Sequence, residues 1–139
     1  MKIRNIIITL VSAIALLISA STVSFAKVVG DKIILGAAVS LTGKYSSNGV
    51  HTQNGYNLAV ERINGMGGVT VGGKSYKFEI IYYDDESNSG RAAQLAERLI
   101  KQDGVQFMLG PYSSGLTKAM APVTEKYGIP MVEANGASR

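Results

Sequence analysis

The residues best suited to hold a small molecule form one stretch, Met108-Leu-Gly-Pro-Tyr-Ser-Ser-Gly-Leu-Thr117. Before it, the apolar run Val105 to Leu109 reads as a buried strand. After it, Leu116 to Tyr127 has helical spacing. A strand that turns through a small, hydroxyl-rich link into a helix points several backbone N–H groups at one place. The helix dipole adds partial positive charge there, so the turn suits an anion such as a carboxylate. Ser113 and Ser114 add hydroxyls. As nucleophiles they would need a base, and nothing in the spacing brings His51, the only histidine, near either one. Hydrogen bonding to a ligand is the simpler role, and no catalysis is expected.

Two further motifs carry chemistry on paper. Gly68 to Ser75 satisfies the phosphate-loop pattern G-x-x-x-x-G-K-[ST]. That loop works only between a preceding strand and a following helix; here a helical pattern precedes and a strand pattern follows. Asp84-Asp85-Glu86 could bind a divalent cation, but no wider set of acidic ligands accompanies it. A solvated strand end is the expectation, with no metal and no cofactor.

Composition narrows the classes. The chain has 139 residues, 46% hydrophobic and 17% charged, which fits one folded domain. It has no cysteine, which removes disulfides, thiolate chemistry and Cys-type zinc sites. Setting aside Lys2 and Arg4 leaves 12 basic side chains against 10 acidic ones. So small an excess does not point to nucleic acid or an anionic membrane.

Met1 to Ala26 has a basic start, an apolar run from Ile6 to Ile18, and Ser24-Phe25-Ala26 before Lys27. This is the pattern of a cleaved secretory signal peptide. The mature protein, from Lys27 onward, is expected in a periplasm.

The elements that must position the turn follow in order. Ile33 to Val39 is a continuous apolar run, suited to a parallel strand covered on both faces. A polar loop from Ser40 to Gly49 follows. Val50 to Met66 reads as a helix with Gly55, Ala59 and Ile63 on its buried stripe, extended by Tyr56 and Val60, and Gly55 is expected to allow close packing on the sheet. Val69 to Ser75 reads as a hairpin turning at Gly72-Gly73. Tyr76 to Tyr83 is the next strand. Asn88 or Ser89 caps a helix whose apolar face is Ala92, Leu95, Ala96, Leu99 and Ile100. The third strand, Val105 to Leu109, precedes a helix containing Pro122, where a local irregularity is expected. Ile129 to Glu133 is the last strand. The alternation implies an α/β fold, an open parallel sheet with helices on both faces.

Several pieces in this order resemble one family. They are Ile34-Leu-Gly-Ala-Ala-Val-Ser-Leu-Thr-Gly43, Asn54-Gly55, Ala59-Val-Glu-Arg-Ile-Asn64, Gly67-Gly68, Tyr82-Tyr-Asp-Asp85, Gly110 before the serine turn, and Tyr127-Gly-Ile-Pro-Met131. Together they resemble the first lobe of type I periplasmic solute-binding proteins of branched-chain amino-acid ABC transporters, the leucine/isoleucine/valine-binding type. The resemblance covers Lys27 to Arg139. It implies a ligand cleft between two lobes, a small carboxylate-bearing solute, and delivery to an inner-membrane permease. By position it assigns the carboxylate to Ser113 and Ser114, beside Tyr112 in the same turn. It puts Asn135, Gly136, Ala137 and Ser138 in a second contact loop, with Asn48 and nearby Tyr45 at the cleft.

This chain departs from the family's leucine-type members at Ala134 to Ser138 and by lacking an aromatic residue at 48. A different amino acid, or an aromatic or aliphatic carboxylate, is therefore an alternative solute. The family's second lobe is expected to be missing, as in a fragment or truncated product. Three charge-assisted hydrogen bonds contribute roughly 5 to 9 kcal/mol against an association cost of about 4 kcal/mol or more, so a lone lobe should bind at about millimolar or weaker. Sheet surface meant for missing partners would be exposed. The alternative function is the sensor lobe of a receptor or ligand-controlled regulator.

Overall fold

The computed structural model describes residues 28–133 and 135–137. The signal-peptide reading of Met1 to Ala26 lies outside the described residues, as do Ala134 and Ser138. In chain order the elements are β1 (Val28–Val29), β2 (Lys32–Val39), α1 (Ser46–Gly65), β3 (Val69–Val71), β4 (Lys74–Asp84), α2 (Ser89–Lys101), β5 (Met108–Leu109), α3 (Ser114–Lys126) and β6 (Met131–Val132).

The sheet order is β3-β4-β2-β5-β6, with β1 added to β2. β4, β2, β5 and β6 are parallel neighbours, while β1 and β3 pair antiparallel. The β2–β4 register runs from Lys32↔Lys77 to Val39↔Asp84. β2 comes first among the parallel strands, the chain next builds β4 on one side of it, and then β5 on the other. The strand order reverses between β2 and β5, and the crevice beyond the carboxyl ends of two such strands is where open α/β sheets take ligands.

Alternation along β4 puts helices on both faces. Tyr82 donates its hydroxyl to Asn57 of α1. Tyr83, the next residue, lies under the Arg98 guanidinium of α2 at 4.4 Å. The main core is on the α2 side, where Ile34 and Ala38 meet Leu95, Ala96, Leu99, Met108, Leu116 and Met120. The predicted face of α2 is the buried one, and Asn88 caps it by accepting the Arg91 N–H at 2.9 Å. Gly72 and Gly73 both have positive φ in the β3–β4 turn, so the phosphate-loop match is a hairpin.

Three expectations change. α1 starts at Ser46, inside the stretch read as a loop, and its buried residues are Gly49 and Thr52, whereas Gly55 and Ala59 are exposed. The close approach belongs to Gly49, where a Cβ would stand 1.8 Å from the Ser40 carbonyl oxygen; at Gly55 it would meet nothing. β5 and β6 pair through only two residues each, because Pro130 has no N–H with which to extend the ladder. Third, α3 starts at Ser114, ahead of the Leu116 at which helical spacing was read, and contains Pro122.

On the other sheet face Ile33, Leu35, Phe78, Phe107, Leu109 and Val132 line an apolar groove of about 390 Å³. Val132 is 65% exposed and Phe107 40%, so apolar sheet surface is open there, as expected.

Candidate ligand site

The loops that leave the carboxyl ends of β2, β4, β5 and β6 meet at one end of the sheet, and side-chain hydrogen bonds tie them in pairs. Asp84 Oδ1 accepts the N–H of Leu41 at 2.9 Å, and its Oδ2 accepts the Thr42 hydroxyl at 2.7 Å. Burial alone would raise the Asp84 pKa, but bonds from Glu86, Thr42 and Leu41 hold it below the usual carboxylate range. Asp85 is fully buried; Oδ1 accepts the Ser40 hydroxyl at 2.6 Å and the Ser87 N–H at 2.8 Å. Burial, with the neighbouring Asp84 charge, pushes its pKa up. The acidic cluster is thus the clasp between the β2 and β4 loops.

α1 then delivers one face to the crevice. Asn48, His51, Thr52, Gly55 and Tyr56 stand at i, i+3, i+4, i+7 and i+8, one stripe of a helix. With Tyr112 and Asn135 they line an open depression of about 470 Å³. Tyr56 donates its hydroxyl to the Gly110 carbonyl at 2.8 Å, which pins α1 to the β5 loop. Its pKa is pushed up to about 12 by burial and then by the charge of Glu133, while a bond to Asn135 acts against the rise.

The two loops after β5 and β6 are at the same end of the sheet and in contact. The Thr117 hydroxyl reaches Glu133 Oε2 at 2.7 Å. The structure brings Asn48, Tyr112 and Asn135 together in the depression. Tyr45 stands behind, its ring edge-on to Tyr112 with centroids 5.7 Å apart. Ser113 and Ser114 are not among the lining residues. Ser113 is the N-cap of α3, its hydroxyl accepting the Leu116 N–H at 3.4 Å, and it holds a left-handed φ of 86°. Ser114 is the first residue of α3. Gly136 gives its N–H to Glu133 and is exposed, as is Ala137. Ser138 lies outside the described residues.

Four lining residues were not read as site residues from the sequence: His51, Thr52, Gly55 and Tyr56. The signal for them was the polar stripe that begins at Asn48, hidden by starting the helix at Val50. Glu133 was also passed over, since it reads as an ordinary strand end.

This arrangement can grip a small polar molecule by hydroxyls, amides, an imidazole and backbone groups. It also agrees with known proteins. A family model described as periplasmic binding protein matches residues 32–139. The Leu/Ile/Val-binding protein BraC3 of Rhizobium johnstonii is 28% identical over 132 residues, 95% of this chain and 32% of that protein. Among solved structures, the branched-chain amino acid transporter substrate binding protein LivJ from Streptococcus pneumoniae, in complex with isoleucine, superposes with a TM-score of 0.70 at 30% identity. That match covers 77% of this chain and 30% of LivJ. A solute binding protein of an ABC transporter from Rhodopseudomonas palustris BisB5, in complex with 3,4-dihydroxy benzoic acid, gives 0.65 at 27% identity, covering 76% of this chain and 28% of that one. The chain thus spans about a third of the length of the relatives it matches. Its strand order, the crevice beyond β2 and β5, and a match running from the first residue of β2 to the last residue of the sequence agree: the chain belongs to the periplasmic binding protein family.

Proposed function

We propose that this chain forms the first ligand-gripping lobe of an extracytoplasmic substrate-binding protein of an ABC transporter, of the branched-chain amino-acid type. It holds a small carboxylate-bearing solute for delivery to a membrane permease. Met1 to Ala26 serves as the cleaved export signal. The observation that carries the reading is the convergence of the β5 and β6 loops with one polar face of α1 around the depression, at the point where the strand order reverses. The relative named for Leu/Ile/Val binding and the isoleucine complex support an amino acid as solute. Asn48, Tyr112 and Asn135 contact it directly. Ser113 and Ser114 act from the start of α3, and Tyr45 backs Tyr112. Gly136 and Ala137 belong to the β6 loop, and Ser138 is assigned to the solute by the resemblance alone.

A second reading, a hydroxylated aromatic acid, is favoured by the lining itself. Tyr56, Tyr112 and His51 bring rings to the lining, and no aliphatic side chain lines the depression among the described residues. The 3,4-dihydroxy benzoic acid complex of a relative fits that chemistry.

The test is a ¹⁵N NMR titration of the purified chain with isoleucine, leucine, valine, 3,4-dihydroxybenzoic acid and, as control, glucose. Saturable shifts confined to residues 48–56, 110–114 and 135–137, at about millimolar concentration, are expected. Absence of shifts there with every acid would overturn the reading.

A further inference from the structure

Glu133 directly follows β6 and turns its carboxylate back toward the start of α3. Oε1 accepts the N–H of Asn135 at 2.6 Å and of Gly136 at 2.7 Å. Oε2 accepts the Thr117 hydroxyl at 2.7 Å. That hydroxyl also lies 2.9 Å from the Ser113 carbonyl, but it has one proton, and the carboxylate is the nearer and stronger acceptor. A Cβ on Gly110 would come within 2.2 Å of Oε2. At Gly136 a Cβ would come within 3.2 Å of the Glu133 Cγ. The carboxylate is therefore locked by three bonds in a niche that two glycines keep open, next to the depression that Asn135 and Tyr56 line.

Two main-chain N–H groups at the end of a parallel strand, beside a helix N-terminus, would suit an incoming carboxylate. Here a carboxylate of the protein already holds them. A second carboxylate at the same place meets like charge in a half-buried setting, where screening is weak. We infer that Glu133 is a specificity-determining residue: it excludes the solute's carboxylate from the β6 loop and selects a solute that turns a hydrogen-bond donor, an ammonium or a hydroxyl, toward that loop. This rests on the solute-binding reading above and refines it. Amino acids and hydroxylated aromatic acids qualify, and plain carboxylates of the same shape do not. The solute's own carboxylate is oriented away from Asn135 and Gly136.

The experiment compares matched pairs by NMR titration: isoleucine against 3-methylpentanoate, which lacks only the ammonium, and 3,4-dihydroxybenzoate against benzoate. At least tenfold tighter binding of the donor-bearing member of a pair is expected. In Glu133→Gln, Oε1 can still accept from Asn135 and Gly136 while the charge is gone, so the preference should fall below threefold. Equal affinity within both pairs in the unaltered chain, or a preference undiminished in the variant, overturns the inference. Acetate provides an arm that needs neither the solute nor the variant. In the unaltered chain the Asn135 and Gly136 amides should stay unmoved up to about 100 mM, a concentration at which a carboxylate held more weakly than millimolar still shows. Movement of both overturns the inference. Should no solute pair bind, the solute-binding reading fails, and the acetate arm alone decides what Glu133 does.

Discussion

Ser40 and Asp85 are joined by a 2.6 Å hydrogen bond, both side chains fully buried, and through it the ends of β2 and β4 are held together. The loop that leads through Tyr45 into α1, which carries Asn48, departs from this clasp on one side, and the start of α2 on the other. Asp85 Oδ2 has no hydrogen-bond partner among the described residues, so Oδ1 and its two donors carry the compensation for a buried carboxylate.

Ser40→Ala removes the hydroxyl donor and leaves that carboxylate with the Ser87 N–H alone. A loss of about 2 kcal/mol in unfolding free energy is expected, the usual scale for a hydrogen bond to a charged group. Urea denaturation measures it, and an unchanged midpoint would show that the clasp is not holding the loops.

The raised pKa of Asp85 has a sign that differs from the usual carboxylate case. The folded state binds its proton more tightly than the unfolded state, so this residue's contribution to stability falls as pH rises from the ordinary carboxylate value through the elevated one. Asp84, held low, works in the opposite direction over lower pH. The stability of the unaltered chain minus that of Asp85→Asn should therefore decline as pH rises above about 4, the ordinary carboxylate value. Parallel denaturation curves for the two proteins across that range would refute the assignment.

Gly49 and Gly55 lie on one helix and predict opposite outcomes. Gly49→Ala drives a methyl group into the Ser40 backbone and should cost about 3 kcal/mol or more, since backbone at both sides resists movement. Gly55→Ala enters open space in a helix interior and should stabilise by about 0.5–1 kcal/mol. Thermal melts of the two variants decide the point, and a destabilised Gly55→Ala would return close packing to that residue.

Ser113 caps α3 from the left-handed region of backbone space, where a residue other than glycine is strained. Ser113→Gly relieves that strain and gives up little capping, so a gain of about 1 kcal/mol is expected. Ser113→Ala keeps the strain, loses the cap and should lose about 1 kcal/mol. Should both variants destabilise equally, the strain is not there.

Much of the fold was legible because local rules sufficed. The unbroken apolar run of β2, the Gly72-Gly73 turn, and the Asn88 cap with the Ala92, Leu95, Ala96, Leu99 face each depend on neighbours in sequence. α1 was misjudged because its pattern is not apolar. Its inward face carries Gly49 and Thr52, and its stripe toward the depression is polar. Periodicity of apolar residues reports burial against a core and is silent about a helix face turned to a ligand crevice.

The α/β order, the turn at Tyr112 to Ser114 and the family were legible in the residues alone, since motif order and hydrophobic spacing are local to the chain. What meets at the carboxyl end of the sheet depends on how the strands are ordered in space. Strand order put the β5 and β6 loops side by side, set one face of α1 against them, and let Glu133 fold back onto Thr117 and the Asn135 and Gly136 amides. The Thr117–Glu133 and Tyr56–Gly110 bonds join residues 16 and 54 positions apart along the chain, and no local rule of spacing encodes which distant partner a side chain will find.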